Sequence, residues 1–381
     1  MNPLHQLKAH GQSVWLDPID PHFIRSGELK KQVEEDEISG AALQPGIPAR
    51  ASDAIDFTHP ESAYDQEMHA LRQGHASAPA TACEKLAIAD IRAAADIFRP
   101  LYEQTHGGDG YGSLQVSPAL ADDTEKTVAE TRSLWHEIDR QNLLVGIPAT
   151  EAGISAMRQL VASGISVNAT LLFSQAQYEQ TAQAYLDGLE QLVAQGGNPA
   201  GIASVASFHI SRVDSAVDAI ITGHLNQCGW IKTYNAMERE SFRNLLGKAA
   251  VANARVAYAR HQAIFSGSRW DALAAKGARK QRPLWASTGI ENLAYRDVKY
   301  IEELIGPGTV TTLSPATLAA FRDHGRVRGS LLENAENAAI VLSTLKTLRI
   351  SLDDVAGKLL AEGIRQLSAA YEKGKPLNAS Q

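Results

Sequence analysis

The chain has 381 residues, 44% hydrophobic and 21% charged, a composition that suits a globular protein with a large core. A formal net charge of −7 argues against a general binder of nucleic-acid backbones, which carries a basic patch. No window approaches the ~18 apolar residues of a membrane helix, and the first residues hold no apolar signal core, so the expected location is the cytoplasm. The two cysteines, Cys83 and Cys228, are far apart and in no metal-ligand spacing, which reads as two reduced thiols and no metal site.

Residues 1–12 form a polar, helical lead, and Ser13 to Asp17 reads as a short strand ending on a carboxylate. A helix opening at Glu28 and a second short strand, Ser39 to Leu43, follow before Pro45 and Pro48 forbid regular structure. Residues 50–110 are largely helical, and a glycine-rich turn leads into a third strand from Tyr111. A helix near 122–139 precedes the apolar run Asn142 to Ala149, which has the length and flanks of a buried parallel strand, and Thr150 is placed to cap the helix of 150–163. Ile165 to Phe173 is a fifth strand, a helix near 175–195 follows, and Ile202 to Ile210 is a sixth strand. Two long helical blocks come next, with turns around Cys228 and Ser266. Strands from Pro283 to Thr288 and Thr309 to Leu313, then helices near 315–323, 333–346 and 351–372, complete the chain.

Eight short strands alternating with helices predict a (β/α)8 barrel of the α/β class, with additional helices, as one domain over 1–381. The alternative, a doubly wound open sheet, lacks its signature, because no glycine-rich phosphate loop follows the first strand.

Several blocks, in order, resemble the transaldolase family in its longer bacterial form. They include Gln12 to Asp17, Gly27 to Lys30, the third strand with Asp122 to Glu125, Gly164 to Ser174, Ala203 to Asp214, Gly247 to Ala250, Gln281 to Gly289 and Glu302 to Pro307. The resemblance implies a barrel with its pocket at the carboxyl ends of the strands. It also implies a Schiff base between a lysine on the fourth strand and a sugar carbonyl. Here the matching position is Gly146, which offers no amine. Lys232, Lys248, Lys276, Lys280 and Lys299 fall on helices or connections.

Other positions depart from the family pattern too. Gln115 stands where a proton-shuttling glutamate is usual, and a carboxamide does not exchange protons near neutral pH. Gln44 falls in the segment whose asparagine holds substrate, and Glu291 replaces a lysine that helps hold phosphate. The matches are Asp17 at the general base, Asn168 and Thr170 at the pair that orients sugar and water, and Ser207, Arg212 and Ser287 at substrate and phosphate contacts. His209 occupies a usual phenylalanine position. Alternation along a strand puts it on the same inward face as Ser207.

From these four departures, the missing amine above all, the sequence predicts a transaldolase-like enzyme repurposed for acid–base chemistry without a Schiff base, on a polyol, sugar or sugar-derived metabolite. Asp17 and His209 are its expected catalytic pair. The alternatives are a non-catalytic, ligand-binding or regulatory paralogue, which leaves enzymatic activity itself open, and a transaldolase whose amine comes from elsewhere. No cofactor, nucleic acid or membrane is expected as a partner, and a homodimer is the assembly considered.

Overall fold

The computed structural model describes residues 2–19, 21–43, 79–226 and 235–374. Gln44, Lys232 and Cys228, and the side chain of Cys83, lie outside the described residues.

Eight parallel strands close into a barrel in chain order: β1 (Gln12–Leu16), β2 (Gly40–Leu43), β3 (Tyr111–Gln115), β4 (Leu143–Pro148), β5 (Val167–Leu172), β6 (Ser204–His209), β7 (Arg282–Ala286) and β8 (Thr309–Leu313). Every residue of β4, β5 and β8 is buried, as expected where helices cover the outer face and side chains fill the lumen.

The helices start where capping chemistry directs them. Asp123 caps α5 (Thr124–Ile138) by accepting from the Lys126 N–H. Thr150 accepts from the Gly153 N–H at 2.9 Å and so opens α6 (Glu151–Ala162). Ser174 and Gln177 form a reciprocal capping box at the start of α7 (Gln175–Ala194). Upstream lie α1 (Pro3–Ala9), α2 (Pro21–Arg25), α3 (Glu28–Glu35) and α4 (Pro79–Gln104).

Among the described residues, the two helical blocks expected after β6 comprise four helices: α8 (Ile210–Asn226), α9 (Ala236–Leu245), α10 (Ala249–Ile264) and α11 (Gly267–Ala274). Gly247, at φ +67°, makes the turn from α9 to α10. The last elements are α12 (Lys299–Glu303), α13 (Pro315–His324), α14 (Ala335–Thr347) and α15 (Leu352–Gly374).

The lumen is packed solid at its amino end. Trp15, Tyr111, Leu144, Val205, Leu284 and Val310 form one buried cluster there. Gly40 makes room for the indole of Trp15, since a Cβ at that position would lie 2.4 Å from the ring. Below the indole, Asp109 accepts hydrogen bonds from Ser13 Oγ and, at 3.1 Å, from Trp15 Nε1. Arg282 donates to Ser13 Oγ and to the Thr309 carbonyl, both at 2.6 Å, and lies 3.7 Å from Asp109. The floor of the barrel is therefore closed by a charged, hydrogen-bonded plug. What remains open is the carboxyl end.

Candidate active site

At the carboxyl end a small cavity of about 30 Å³ is lined by Asp17, Ser113, Gln115, Asn168, Thr170, Ser207 and His209, over a floor of Trp15 and Leu284. This is room for roughly two water molecules. The structure thus brings together six of the residues singled out in the sequence. Gly146 belongs to the same level, because its Cα pairs in register with Gln115 on one side and Asn168 on the other.

The strand pattern delivers these groups directly. Residues two apart share a face, so Ser113 and Gln115, Asn168 and Thr170, and Ser207 and His209 enter the lumen as pairs. Asn168 is the hub of a chain across three strands: its Nδ2 donates to Ser113 Oγ at 3.1 Å, and its Oδ1 accepts from Ser207 Oγ at 2.7 Å. The bond to Ser113 reaches past β4 at the level of Gly146. The space a side chain at 146 would take is filled by Gln115, whose Oε1 lies 2.4 Å from a Cβ built there.

Ser113 was not anticipated, although it shares its face with Gln115 two positions on. Leu171 was unexpected as well. Between Ala169 and Leu172, β5 carries one residue more than its β6 partner, and Leu171 takes φ +60° in that bulge.

Two polar atoms at the cavity are buried without a partner, Asp17 Oδ1 and Gln115 Nε2. Burial raises the Asp17 carboxyl to about 7, so the acid and the carboxylate are both populated near neutral pH. A hydroxyl or a water suits this pair, since it can donate to the carboxylate while accepting from the amide.

His209 differs. Its Nε2 lies 3.3 Å from Thr170 Oγ1, its Nδ1 lies 2.9 Å from Ser287 Oγ, and its ring centroid sits 5.5 Å from that of Phe173. Burial, and then the charge of Arg212, push its pKa down to about 3. The imidazole is neutral at physiological pH and serves as a hydrogen-bonded link between β5 and the end of β7. An imidazolium acid at this place would need both costs removed.

Arg212, in the first turn of α8, is half-buried and has no hydrogen bond or ion pair among the described residues. That leaves a guanidinium available for an anion beside the cavity. Glu291 does not line the cavity. It accepts a hydrogen bond from Ser215 Oγ at 2.7 Å and borders a separate, outer cavity of about 500 Å³ with Asp218, Tyr295 and Tyr300.

No lysine lines the inner cavity among the described residues. Lys248, Lys276 and Lys280 are exposed. Lys299 donates to Asp214 Oδ2 at 3.2 Å and to the Gly247 carbonyl, and lies over the Tyr295 ring at 4.2 Å. Among the described residues no group of three or more His, Cys, Asp or Glu side chains is placed to hold a metal. Nor is any helix there long and apolar enough to cross a membrane.

Residues 14–375 match the family described as Transaldolase/Fructose-6-phosphate aldolase. The Transaldolase of Parafrankia sp. (strain EAN1pec) is 43% identical over 372 residues, covering 97% of this chain and 95% of that one. The Transaldolase of Saccharopolyspora erythraea is 42% identical over 372 residues, covering 97% and 95%. The Transaldolase of Thermobifida fusca is 42% identical over 373 residues, covering 98% and 96%.

These relatives overturn the expectation of an enzyme repurposed away from Schiff-base chemistry. That expectation set four positions, Gly146, Gln115, Gln44 and Glu291, against the whole chain, whereas the likeness to proteins named Transaldolase runs over nearly all of it. It also relied on His209 as an acid, a role its neutral, doubly bonded ring does not fit.

Proposed function

The chain belongs to the transaldolase family, and we propose that it acts as a transaldolase, moving a short ketol fragment between sugars in the mouth of its barrel. The observation that carries this reading is the identity of about two residues in five to named transaldolases over 97% of the chain. In this reading Asp17 is the proton carrier, suited to the task by a pKa of about 7. Asn168, fixed by Ser113 and Ser207, and Thr170, bonded to His209, orient the sugar hydroxyls. Gln115 offers its unpartnered Nε2 to a hydroxyl or a water, and Arg212 with Ser287 faces the anionic end of the substrate.

Gly146 stands at the family's lysine position and no lysine lines the inner cavity among the described residues, so this reading requires an amine that reaches the mouth of the barrel from outside β4. Its attack on the carbonyl carbon expels water and leaves an iminium that draws electrons from the bond to be broken. Asp17 takes the hydroxyl proton of the departing aldehyde and returns it when the acceptor adds.

The test pairs turnover with trapping. Fructose 6-phosphate and a short aldose phosphate should give the transferred ketose. Borohydride added during turnover should fix the ketol fragment on one lysine, which peptide mapping identifies. Absence of transfer with every aldose phosphate acceptor would overturn the reading.

A further inference from the structure

The C-terminal helix α15 packs against three places: the end of β5, the helix α8, and the 3₁₀ turn Pro118–Leu120. Each continues directly from a strand that carries a cavity residue. The 3₁₀ turn begins three residues after Gln115, α8 begins one residue after His209, and the β5 contact falls at the bulge beside Thr170. The helix therefore rests on the continuations of three cavity strands at once.

Its closest approach is glycine against leucine. Gly363 is buried, and a Cβ on it would lie 2.9 Å from Leu171 Cδ2 and 3.3 Å from Cδ1. Leu171 is 2% exposed and sits at φ +60°, a conformation a leucine keeps only where its surroundings hold it. On the opposite side, the Ala149 N–H donates to the Thr170 carbonyl at 2.8 Å. With its carbonyl tied to β4 and the next side chain pressed under α15, Thr170 directs its hydroxyl to His209 Nε2 at 3.3 Å.

We propose that α15 positions the cavity, acting through the Gly363–Leu171 contact to hold the β5 bulge and so aim Thr170 at His209. Leu171 and Gly363 do not line the cavity. They are positioning residues, and the inference stands whichever reaction the cavity performs. A leucine at 363 would push Leu171 out of the bulge, and an alanine at 171 would leave the left-handed residue with nothing to hold it. Either change should release Thr170 from the imidazole. Val355, buried two turns earlier on the same helix, serves to loosen the helix away from the bulge.

The experiment uses the full chain labelled with ¹⁵N-histidine, with the His209 ring nitrogens assigned by their loss in His209→Gln. Gly363→Leu and Leu171→Ala are each compared with Val355→Ala, after thermal melts confirm cooperative folding. The expected result is a shift of the His209 Nε2 resonance in both bulge variants, toward a ring free of the threonine bond, and none in Val355→Ala. Unchanged His209 resonances in a folded bulge variant would overturn the proposal, as would an equal shift in Val355→Ala. If Gly363→Leu does not fold, Leu171→Ala decides alone.

Discussion

The interlock of Gly146 with Gln115 makes a quantitative prediction. An alanine at 146 would place its Cβ 2.4 Å from Gln115 Oε1, 3.1 Å from its Cδ and 3.2 Å from its Cα. The first two contacts carry most of the cost, because the carboxamide lines the cavity with its Nε2 buried, whereas the third, to backbone, needs a shift of only a few tenths of an ångström. Overpacking of this kind costs roughly 1–3 kcal/mol, and alanine recovers about 0.5–1 kcal/mol over glycine within a strand. The net loss should be about 1–2 kcal/mol. At ~2.1 cal/mol/K of unfolding entropy per residue, a chain of this length shifts its Tm by little more than ~1 °C per kcal/mol, so denaturant unfolding is the better assay. The decisive measurement is a double-mutant cycle with Gln115→Ala, which removes the carboxamide. The cost of Gly146→Ala should fall by at least about 1 kcal/mol in that background, the scale of coupling between residues in contact. Equal costs in both backgrounds would refute the interlock. They would mean that the space over Gly146 is not held by Gln115.

Further expectations concern charge and packing. A carboxyl raised to about 7 binds more protons folded than unfolded, so Asp17 lowers stability as pH rises from about 4 to about 7. Asp17→Asn should therefore be more stable than the parent at pH 8, with the gain vanishing below pH 4, as thermal melts across pH would record. His209, pushed down to about 3, has the opposite sign: it contributes stability above pH 6.5 that is lost as pH falls toward 3. His209→Gln should flatten that acid limb, and an unchanged limb would mean that the imidazole is not held neutral. Gly40→Ala would drive a Cβ into the Trp15 ring, with atoms at 2.4–2.6 Å. It should cost about 3 kcal/mol or more, at the upper end of overpacking, and normal stability would mean that the indole can move.

Much of this architecture was legible because each strand is a short apolar run between turn signals, and alternation alone put Ser207 and His209 on one face. Both do line the cavity. Alternation could not foresee the extra residue in β5, since Leu171, Leu172 and Phe173 are all apolar and mark no change of face after Thr170. The protonation of His209 was equally hidden. It depends on burial and on Arg212 arriving from the next helix, and neither is written in the strand. Residue identity alone makes Glu291 an intruder in an anion site, yet its bond to Ser215 turns it toward the outer cavity, a matter of loop direction that residue identity does not carry. The short helices α2 and α12, of five residues each, fall below the length at which periodicity is readable.

The plug of Trp15, Asp109 and Arg282 also has a kinetic consequence. With the amino end stoppered, the described residues leave the barrel open at its carboxyl end, and what reacts there arrives and departs by that route. Two reactants that need the same floor space must then take turns. In the proposed transfer, the fragment left by the first waits, bound, while its other product clears the threshold. Initial-rate plots at several fixed donor concentrations should run parallel, and each departing product should compete with the partner that follows it in.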